Sequence, residues 1–243
     1  MNKITTPNWD KNSWISSPEY VDCTVKFLTS CLQLKPTSKV LDIGCGRGNI
    51  SAALSRFNNF YAPVEAVDIT DLGGEVTERD QLDFHLCDGV GYLKTKPDCY
   101  YNGIILKQVF HLIPEQDRQK LLAQIFRCLK KEGCALILQM PAHSEVPMFT
   151  KLKDVFYREL LPLNSVIQMA ESTGLKVAVS ECRFSVGMAK QDYFRLLEQR
   201  FMSVLREFSD WEIEDGITEL DGLYPQETLE FTDALDVIQL SRQ

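Results

Sequence analysis

The sequence has little of what metal centres and disulfide frameworks require. Its 243 residues include three histidines and eight cysteines, and no two cysteines are spaced as CxxC. Scattered cysteines in a chain of this length indicate reduced thiols, so we expect a cytoplasmic protein without disulfides. His85, His111 and His143 show no zinc-like spacing with the cysteines, and we therefore expect no metal site.

Long apolar runs and an excess of positive charge are also missing. No run is long enough to span a bilayer, and the first twenty residues carry Asp10, Lys11 and Glu19 where a secretory signal would be apolar. The net charge is −8 and the isoelectric point about 5.0, whereas nucleic-acid-binding proteins present a basic patch. We expect neither a membrane nor a nucleic acid as partner, with monomer and homodimer both open.

Strand and helix patterns alternate along most of the chain. This alternation predicts an α/β fold with a doubly wound, mostly parallel, Rossmann-like sheet. Strands are predicted at 39–43, 64–69, 82–86, 101–106, 134–140 and 176–182. Helices are predicted at 20–32, 49–57, 115–131 and 166–172, the last two ending at Gly133 and Gly174.

The tail differs from the core in composition. Apolar residues at helical spacing predict a helix over 192–208. From Glu207 to Asp236 there are eleven acidic residues and no lysine or arginine, a pattern typical of a solvated face. A final strand at 228–240 is predicted to lie at the edge of the sheet. We expect a single domain, 1–243, made of a helical lid (1–36), a core (38–182), a helical insertion (183–224) and the last strand (225–243).

A glycine-rich turn follows the first strand of the core. Gly44, Gly46 and Gly48 form a GxGxG pattern between a strand and a helix, where glycine permits a sharp turn and close approach of a ligand. The dinucleotide fingerprint GxGxxG needs its third glycine at position 49. The residue there is Asn49, so the fingerprint is not met. Alone, the turn is equally compatible with a tight strand-to-helix connection.

Two carboxylates make the turn more informative. Asp42 precedes it, and Asp68 ends the next strand twenty residues after Gly48, where an acid binds ribose hydroxyls in such folds. A carboxylate at Asp42 would repel a pyrophosphate but attract an ammonium or a sulfonium. Asp88, followed by Gly89, could accept a hydrogen bond from an adenine amine or serve as a turn residue.

Together these residues resemble the class I S-adenosylmethionine-dependent methyltransferases, in particular the small-molecule group called type 11, which includes trans-aconitate methyltransferase-like enzymes. The resemblance covers about residues 38–140. It implies a seven-stranded sheet with the last strand antiparallel, S-adenosylmethionine as cofactor and S-adenosylhomocysteine as product. It assigns cofactor contacts to Asp42, Gly44, Cys45, Gly46 and Gly48 of the turn, to Asp68 and Ile69, and to Asp88 and Gly89.

The segment after the fourth strand matches the family less closely. Asn102 replaces an acid near the start of that strand, and Leu112 replaces the second of two histidines. His111 is the candidate base for a hydroxyl or amine acceptor, or else a packed histidine. Lys107 either points away from the sulfonium or meets an anionic group. The two candidate catalytic residues favour O-methylation of a small carboxylate or hydroxyl compound.

The acceptor is expected to bind to segments outside the core. Trp14, Tyr20 and His143 are the candidate substrate-binding residues, although aromatic side chains more often pack than bind ligands. The alternatives are a nicotinamide-dependent oxidoreductase, which Asp42 disfavours, and a non-catalytic cofactor-binding module that acts through a protein partner. Methylation of a base amine is disfavoured because no Asn/Asp-Pro-Pro-aromatic motif follows the fourth strand.

Overall fold

The computed structural model describes residues 13–70 and 82–242, which form two compact units. Among these residues, no helix is both long and apolar enough to cross a membrane. We call the two units the sheet unit and the accessory unit and describe each separately. The sheet unit comprises described residues of 21–140, 161–182 and 235–243, and the accessory unit those of 1–20, 141–160 and 183–234.

Seven strands form one mixed sheet in the order β3-β2-β1-β4-β5-β7-β6. The strands β1 to β5 run parallel to their neighbours, whereas β7 pairs antiparallel with β5. This topology confirms the predicted mostly parallel sheet with its last strand antiparallel. The strands are β1 (Val40–Ile43), β2 (Glu65–Asp68), β3 (Asp83–Leu86), β4 (Tyr101–Lys107), β5 (Leu129–Gln139), β6 (Lys176–Ala189) and β7 (Thr228–Ser241).

Eight α-helices connect or flank these strands within the described residues. Short 3-10 turns occur at Trp14–Ser16, Phe110–Leu112 and Ser203–Glu207. The helices are α1 (Pro18–Cys31), α2 (Asn49–Asn58), α3 (Gly89–Lys94), α4 (Glu115–Cys128), α5 (Thr150–Glu159), α6 (Leu163–Ser172), α7 (Lys190–Glu198) and α8 (Asp210–Leu223).

The core of the sheet unit is built by the apolar face predicted for α4. Leu121, Leu122 and Ile125 are buried on that face, in one cluster with strand residues such as Ile104 and Ile137. Strand β1 is buried at all four positions, as expected for a central strand covered on both faces. The burial of this face, about 1.5–3 kcal/mol for each large aliphatic side chain, holds α4 against the sheet.

The strand order reverses at β1, which lies between β2 and β4. The connection through α2 leads from β1 to β2 on one side. The connection through α3 leads from β3 back across the sheet to β4, on the other side of β1. Ligands of doubly wound sheets bind where the order reverses, beyond the carboxyl ends of the strands. Ile43, Asp68 and Lys107, the last residues of β1, β2 and β4, lie at this edge.

The end of α4 differs from the prediction of a helix reaching Lys131 and closed by Gly133. The helix ends at Cys128, and Gly133 lies inside β5, where the register with β4 is irregular. A Cβ at Gly133 would lie 2.8 Å from the carbonyl oxygen of Tyr101. The glycine therefore permits close approach of two strands at a bulge, which propensity alone did not distinguish from a helix end.

Three expectations for the tail were also wrong. Strand β7 lies between β5 and β6, so it is not an edge strand. The helical part of the insertion begins at Lys190 rather than at residue 183, because the residues up to Ala189 complete β6. The helix predicted over 192–208 is interrupted after Glu198, where Arg200 adopts a left-handed φ of 53°. Its apolar side chains are nevertheless buried as expected.

Aromatic packing holds the accessory unit together. The Trp14 ring stacks on Tyr193 with ring centroids 6.1 Å apart and meets Phe201 and Phe231 edge-on. Its indole Nε1 donates to Oδ2 of the buried Asp233 at 2.8 Å. Such a polar partner is expected for a tryptophan whose ring lies among other aromatic rings.

A pair of glycines in α8 offers a matched test of this packing. A Cβ at Gly216 would lie 2.4 Å from Cδ1 of the buried Phe149, whereas one at Gly222 would meet nothing within 4 Å. We expect Gly216→Ala to lower the free energy of unfolding by about 1–3 kcal/mol through overpacking. Gly222→Ala should instead raise it by up to about 1 kcal/mol, because alanine favours the helix. Urea titrations of both variants measure the difference, and equal effects would contradict the packing described.

Candidate functional site

The glycine turn adopts backbone conformations that side chains disfavour. Gly44, Gly46 and Gly48 have φ values of 72°, 57° and 86°. The Gly44 N–H donates to the carbonyl of Val67 in β2 at 2.8 Å, which ties the turn to the neighbouring strand. A Cβ at Gly44 would also lie 2.4 Å from Cγ2 of Val109, so the loop after β4 touches the turn. These contacts explain the need for glycine at the first position.

Asp42 places a carboxylate inside the protein directly before the turn. Only 5% of the residue is exposed, and Oδ2 accepts a hydrogen bond from the hydroxyl of Ser51 in α2. Ser51 was not predicted as a site residue. A helical serine carries no sequence signal for this role, and only the packing of α2 on β1 brings it to Asp42.

Burial is the dominant influence on this carboxylate. It raises the pKa of Asp42 to about 6, and the negative charge of Asp68 raises it further. The hydrogen bond from Ser51 and the positive charge of Lys107 act in the opposite direction, since both favour the ionised form. Asp42 is therefore mostly ionised at neutral pH, but at a cost that a bound cation would offset.

Asp68 ends β2 with its carboxylate directed at the glycine turn. Its Oδ2 accepts from the Gly46 N–H at 2.9 Å, and its Oδ1 accepts from the Thr70 N–H at 2.8 Å. The acid thus orders the turn, and its remaining lone pairs can accept from hydroxyl groups. The adjacent Ile69 is 78% exposed and presents an apolar side chain beside this carboxylate.

Asp88 and Gly89 open helix α3 beyond β3. The Asp88 side chain accepts from the Gly91 N–H at 2.8 Å, which makes it the N-cap of the helix. A Cβ at Gly89 would lie 2.8 Å from Cγ2 of Ile43, so glycine lets α3 approach the end of β1. The structure therefore gives both residues a local structural role, and contact with an adenine ring stays a prediction for them.

The loop after β4 begins with a strained residue. Gln108 adopts a left-handed φ of 55°, which is uncommon for a residue with a side chain and concentrates at functional sites. Its Oε1 accepts from Lys107 Nζ at 3.0 Å. Lys107 lies two residues beyond Ile105, the register partner of Asp42, so strand alternation puts Lys107 on the sheet face of Asp42. Sequence patterns could not identify Gln108, because the strain exists only in the folded backbone.

His111 lies in the 3-10 turn of the same loop and is partly buried. Burial lowers the pKa of its imidazole, and the positive charge of Arg118 lowers it further. Both effects disfavour the imidazolium, so the ring is neutral at pH 7 and able to accept a proton.

The predicted substrate-binding residues belong to the accessory unit. Trp14 packs in the aromatic cluster, and its indole N–H is bound to Asp233. Tyr20 is 5% exposed, with its ring 4.6 Å from that of Phe184, whereas His143 is exposed. Their contact with a substrate stays a prediction. Across residues 13–70 and 82–242, no three or more His, Cys, Asp or Glu side chains are grouped to hold a metal ion.

Known proteins are similar in sequence to the part of the chain that contains the glycine turn and its acids. Residues 40–133 match the family model described as a methyltransferase domain. The ubiquinone/menaquinone biosynthesis C-methyltransferase UbiE of Psychromonas ingrahamii is 27% identical over 143 residues, which cover 56% of this chain and 56% of that protein. The chain spans about half the length of the curated relatives it matches.

Solved structures resemble nearly the whole chain. A putative methyltransferase from an antibiotic biosynthesis pathway of Anabaena variabilis has a TM-score of 0.68 at 16% identity, over 90% of this chain and 97% of its own. An N-methyltransferase of Haemonchus contortus, in complex with phosphomonomethylethanolamine and S-adenosylhomocysteine, has a TM-score of 0.58 at 17% identity, over 99% of this chain and 55% of its own. At these identities the likeness shows the fold.

The fold is shared with solved methyltransferase structures, and residues 40–133 resemble a methyltransferase domain. The Haemonchus structure holds S-adenosylhomocysteine, the product that S-adenosylmethionine leaves after methyl transfer. The trans-aconitate methyltransferase-like group is not confirmed by these matches, and the curated relatives are named as C-methyltransferases.

Replacing the buried carboxylate of Asp42 is expected to have opposite effects on stability and on ligand binding. The folded-state pKa of Asp42, about 6, lies above the ordinary 3.8, so ionisation in the folded state costs about 3 kcal/mol. The cost is absent below the ordinary pKa and is fully present above about pH 6. We expect Asp42→Asn to raise the free energy of unfolding at pH 7.5 by roughly 1–3 kcal/mol while weakening S-adenosylhomocysteine binding at least tenfold.

The pH dependence of the unmutated protein provides the control. S-adenosylhomocysteine affinity should fall by about tenfold for each pH unit below 6, because a protonated Asp42 no longer attracts an ammonium. The Asp42→Asn variant should lack this dependence. Calorimetric titration at several pH values measures both proteins, and a pH-independent affinity in the unmutated protein would contradict the role of Asp42.

Proposed function

We propose that the chain transfers the methyl group of S-adenosylmethionine to a small-molecule acceptor. The observation that carries the proposal is the ionisable carboxylate of Asp42, buried directly before a glycine turn. A buried acid here disfavours a phosphate-bearing nucleotide and favours a ligand with positive charge. The same feature weighs against a nicotinamide cofactor.

The chemistry of the donor set fits the cofactor. The positive φ values of Gly44 and Gly46 let the turn bend sharply, and Asp42 supplies negative charge for the α-ammonium group. Asp68 has acceptor capacity for ribose hydroxyls, and Ile69 presents an exposed apolar side chain suited to an adenine face. Cys45 and Gly48 complete the turn, and the Asp88–Gly89 pair is proposed for the adenine edge.

When bound, the cofactor supplies an activated methyl group on a sulfonium sulfur. The residues of this chain then need only bind and orient the cofactor and the methyl acceptor, and accept a proton from that acceptor. The unprotonated imidazole nitrogen of His111 is the proposed proton acceptor for a hydroxyl acceptor, which is consistent with its lowered pKa. Lys107 is proposed to bind an anionic group of the acceptor through Nζ.

The acceptor is proposed to be a small carboxylate or hydroxyl compound that is methylated on oxygen. The positive charge of Lys107 supports an acceptor that is an anion. The neutral imidazole of His111 supports an acceptor that becomes an anion when its hydroxyl loses a proton. Trp14, Tyr20 and His143 remain the proposed acceptor-binding residues. Carbon methylation beside an ionised hydroxyl is the second candidate, because the curated relatives are named as C-methyltransferases.

A product analysis distinguishes oxygen from carbon methylation. The protein is incubated with carbon-13 methyl-labelled S-adenosylmethionine and panels of carboxylates, phenols, alcohols and amines. The carbon-13 shift of the product separates O-methyl, C-methyl and N-methyl groups directly. Products formed only from amines would overturn the proposed acceptor class, and a thermal-shift response to NAD rather than to S-adenosylhomocysteine would overturn the cofactor.

Asp68 allows a direct test of the cofactor site. We expect Asp68→Ala to weaken S-adenosylhomocysteine binding by tenfold to a hundredfold, because a charged acceptor contributes about 1.5–3 kcal/mol. Asp83→Ala is the matched control, since Asp83 starts the neighbouring strand β3 at the opposite end and is exposed. Calorimetry measures affinity and circular dichroism checks folding. Unchanged affinity in a folded Asp68→Ala variant would argue against the assignment.

A further inference from the structure

The loop between β4 and α4 is held at its far end by one arginine. Arg118, in α4, donates from Nε to the carbonyl oxygen of Ile113 at 2.9 Å. Its Nη2 donates to the carbonyl oxygen of His111 at 3.0 Å. A single guanidinium therefore binds two backbone carbonyls of the short segment that carries His111.

The near end of the loop is anchored independently. The Gln108 N–H donates to the carbonyl oxygen of Leu138 in β5 at 2.7 Å, while Gln108 itself holds a left-handed φ of 55°. Between the two anchors, the side chain of Val109 packs against Gly44 of the glycine turn. The loop is thus fixed at both ends and touches the proposed cofactor turn in the middle.

We propose that Arg118 is a positioning residue whose guanidinium holds the loop in the orientation that lets His111 accept a proton from the methyl acceptor. The inference rests on the proposed methyl transfer. Arginine suits this task because its planar group presents several N–H donors in fixed directions. A lysine ammonium retains the charge but lacks that rigid fork.

The charge of Arg118 adds a second effect. Burial lowers the pKa of the His111 imidazole, and the positive charge of Arg118 in α4 lowers it further. A general base must be unprotonated, so its activity is lost as pH falls through its pKa. Removing the positive charge should therefore raise the pKa of His111 and move the acidic limb of the rate profile to higher pH.

The experiment separates charge from geometry with two substitutions. Arg118→Gln removes both the charge and the fork, and Arg118→Lys retains the charge. Arg127→Gln is the matched control: Arg127 lies in the same helix and binds the carbonyls of Leu93 in α3 and of Lys96 just beyond it. With only three histidines in the chain, an NMR titration assigns the pKa of each imidazole.

We expect the pKa of His111 to rise in Arg118→Gln and to stay close to the unmutated value in Arg118→Lys and Arg127→Gln. The pKa values of His85 and His143 should not change. In both Arg118 variants kcat should fall about tenfold or more, with KM for S-adenosylmethionine changed less than threefold, because a misplaced base slows the reaction without loosening the cofactor.

Three results would overturn the proposal. The pKa of His111 could be unchanged in Arg118→Gln, kcat could be retained in both Arg118 variants, or Arg127→Gln could produce the same kinetic effect. Circular dichroism establishes that the variants fold, and Arg118→Lys is the fallback if Arg118→Gln does not. Failure of the unmutated protein to bind S-adenosylhomocysteine would refute the proposed function instead, because the NMR titration needs no cofactor.

Discussion

The candidate site depends on one electrostatic constraint, the burial of an ionisable carboxylate at the end of a central strand. Asp42 is enclosed because β1 is covered on both faces, and its ionised form is supported by Ser51 and by the charge of Lys107. Both supports are incomplete, which leaves the site with unbalanced negative charge. Such a site favours a cationic ligand over a phosphate, and this preference follows from desolvation rather than from the glycine pattern.

Neighbouring elements hold in place the backbone segments around this carboxylate. Asp68 ties the glycine turn to β2 through the Gly46 N–H, and Val109 packs against Gly44 from the other side. Gln108 retains a strained backbone because β5 accepts its N–H. Local strain of this kind persists only where the surroundings over-determine it. At Gln108 it lies at the edge where the strand order reverses.

Much of the sheet unit could be predicted because its signals are local. The alternation of apolar strands with amphipathic helices is a pattern of residues close together in the sequence, and it correctly predicted the strands and the turn. The errors share a cause. The place of Gly133 depends on how closely it approaches Tyr101, and the interior position of β7 depends on long-range pairing with β5. Neither contact leaves a periodic trace in the sequence.

The sequence by itself determined the fold class and the spacing of the acids Asp42 and Asp68 around the glycine turn, because both follow from local patterns along one strand-turn-helix unit. Only the tertiary structure decided which other groups act on them. Ser51 reaches Asp42 through helix packing, and Arg118 reaches the carbonyl of His111 across a loop. The pKa values of Asp42 and His111 likewise follow from burial and neighbouring charge, which exist only once distant segments are packed together.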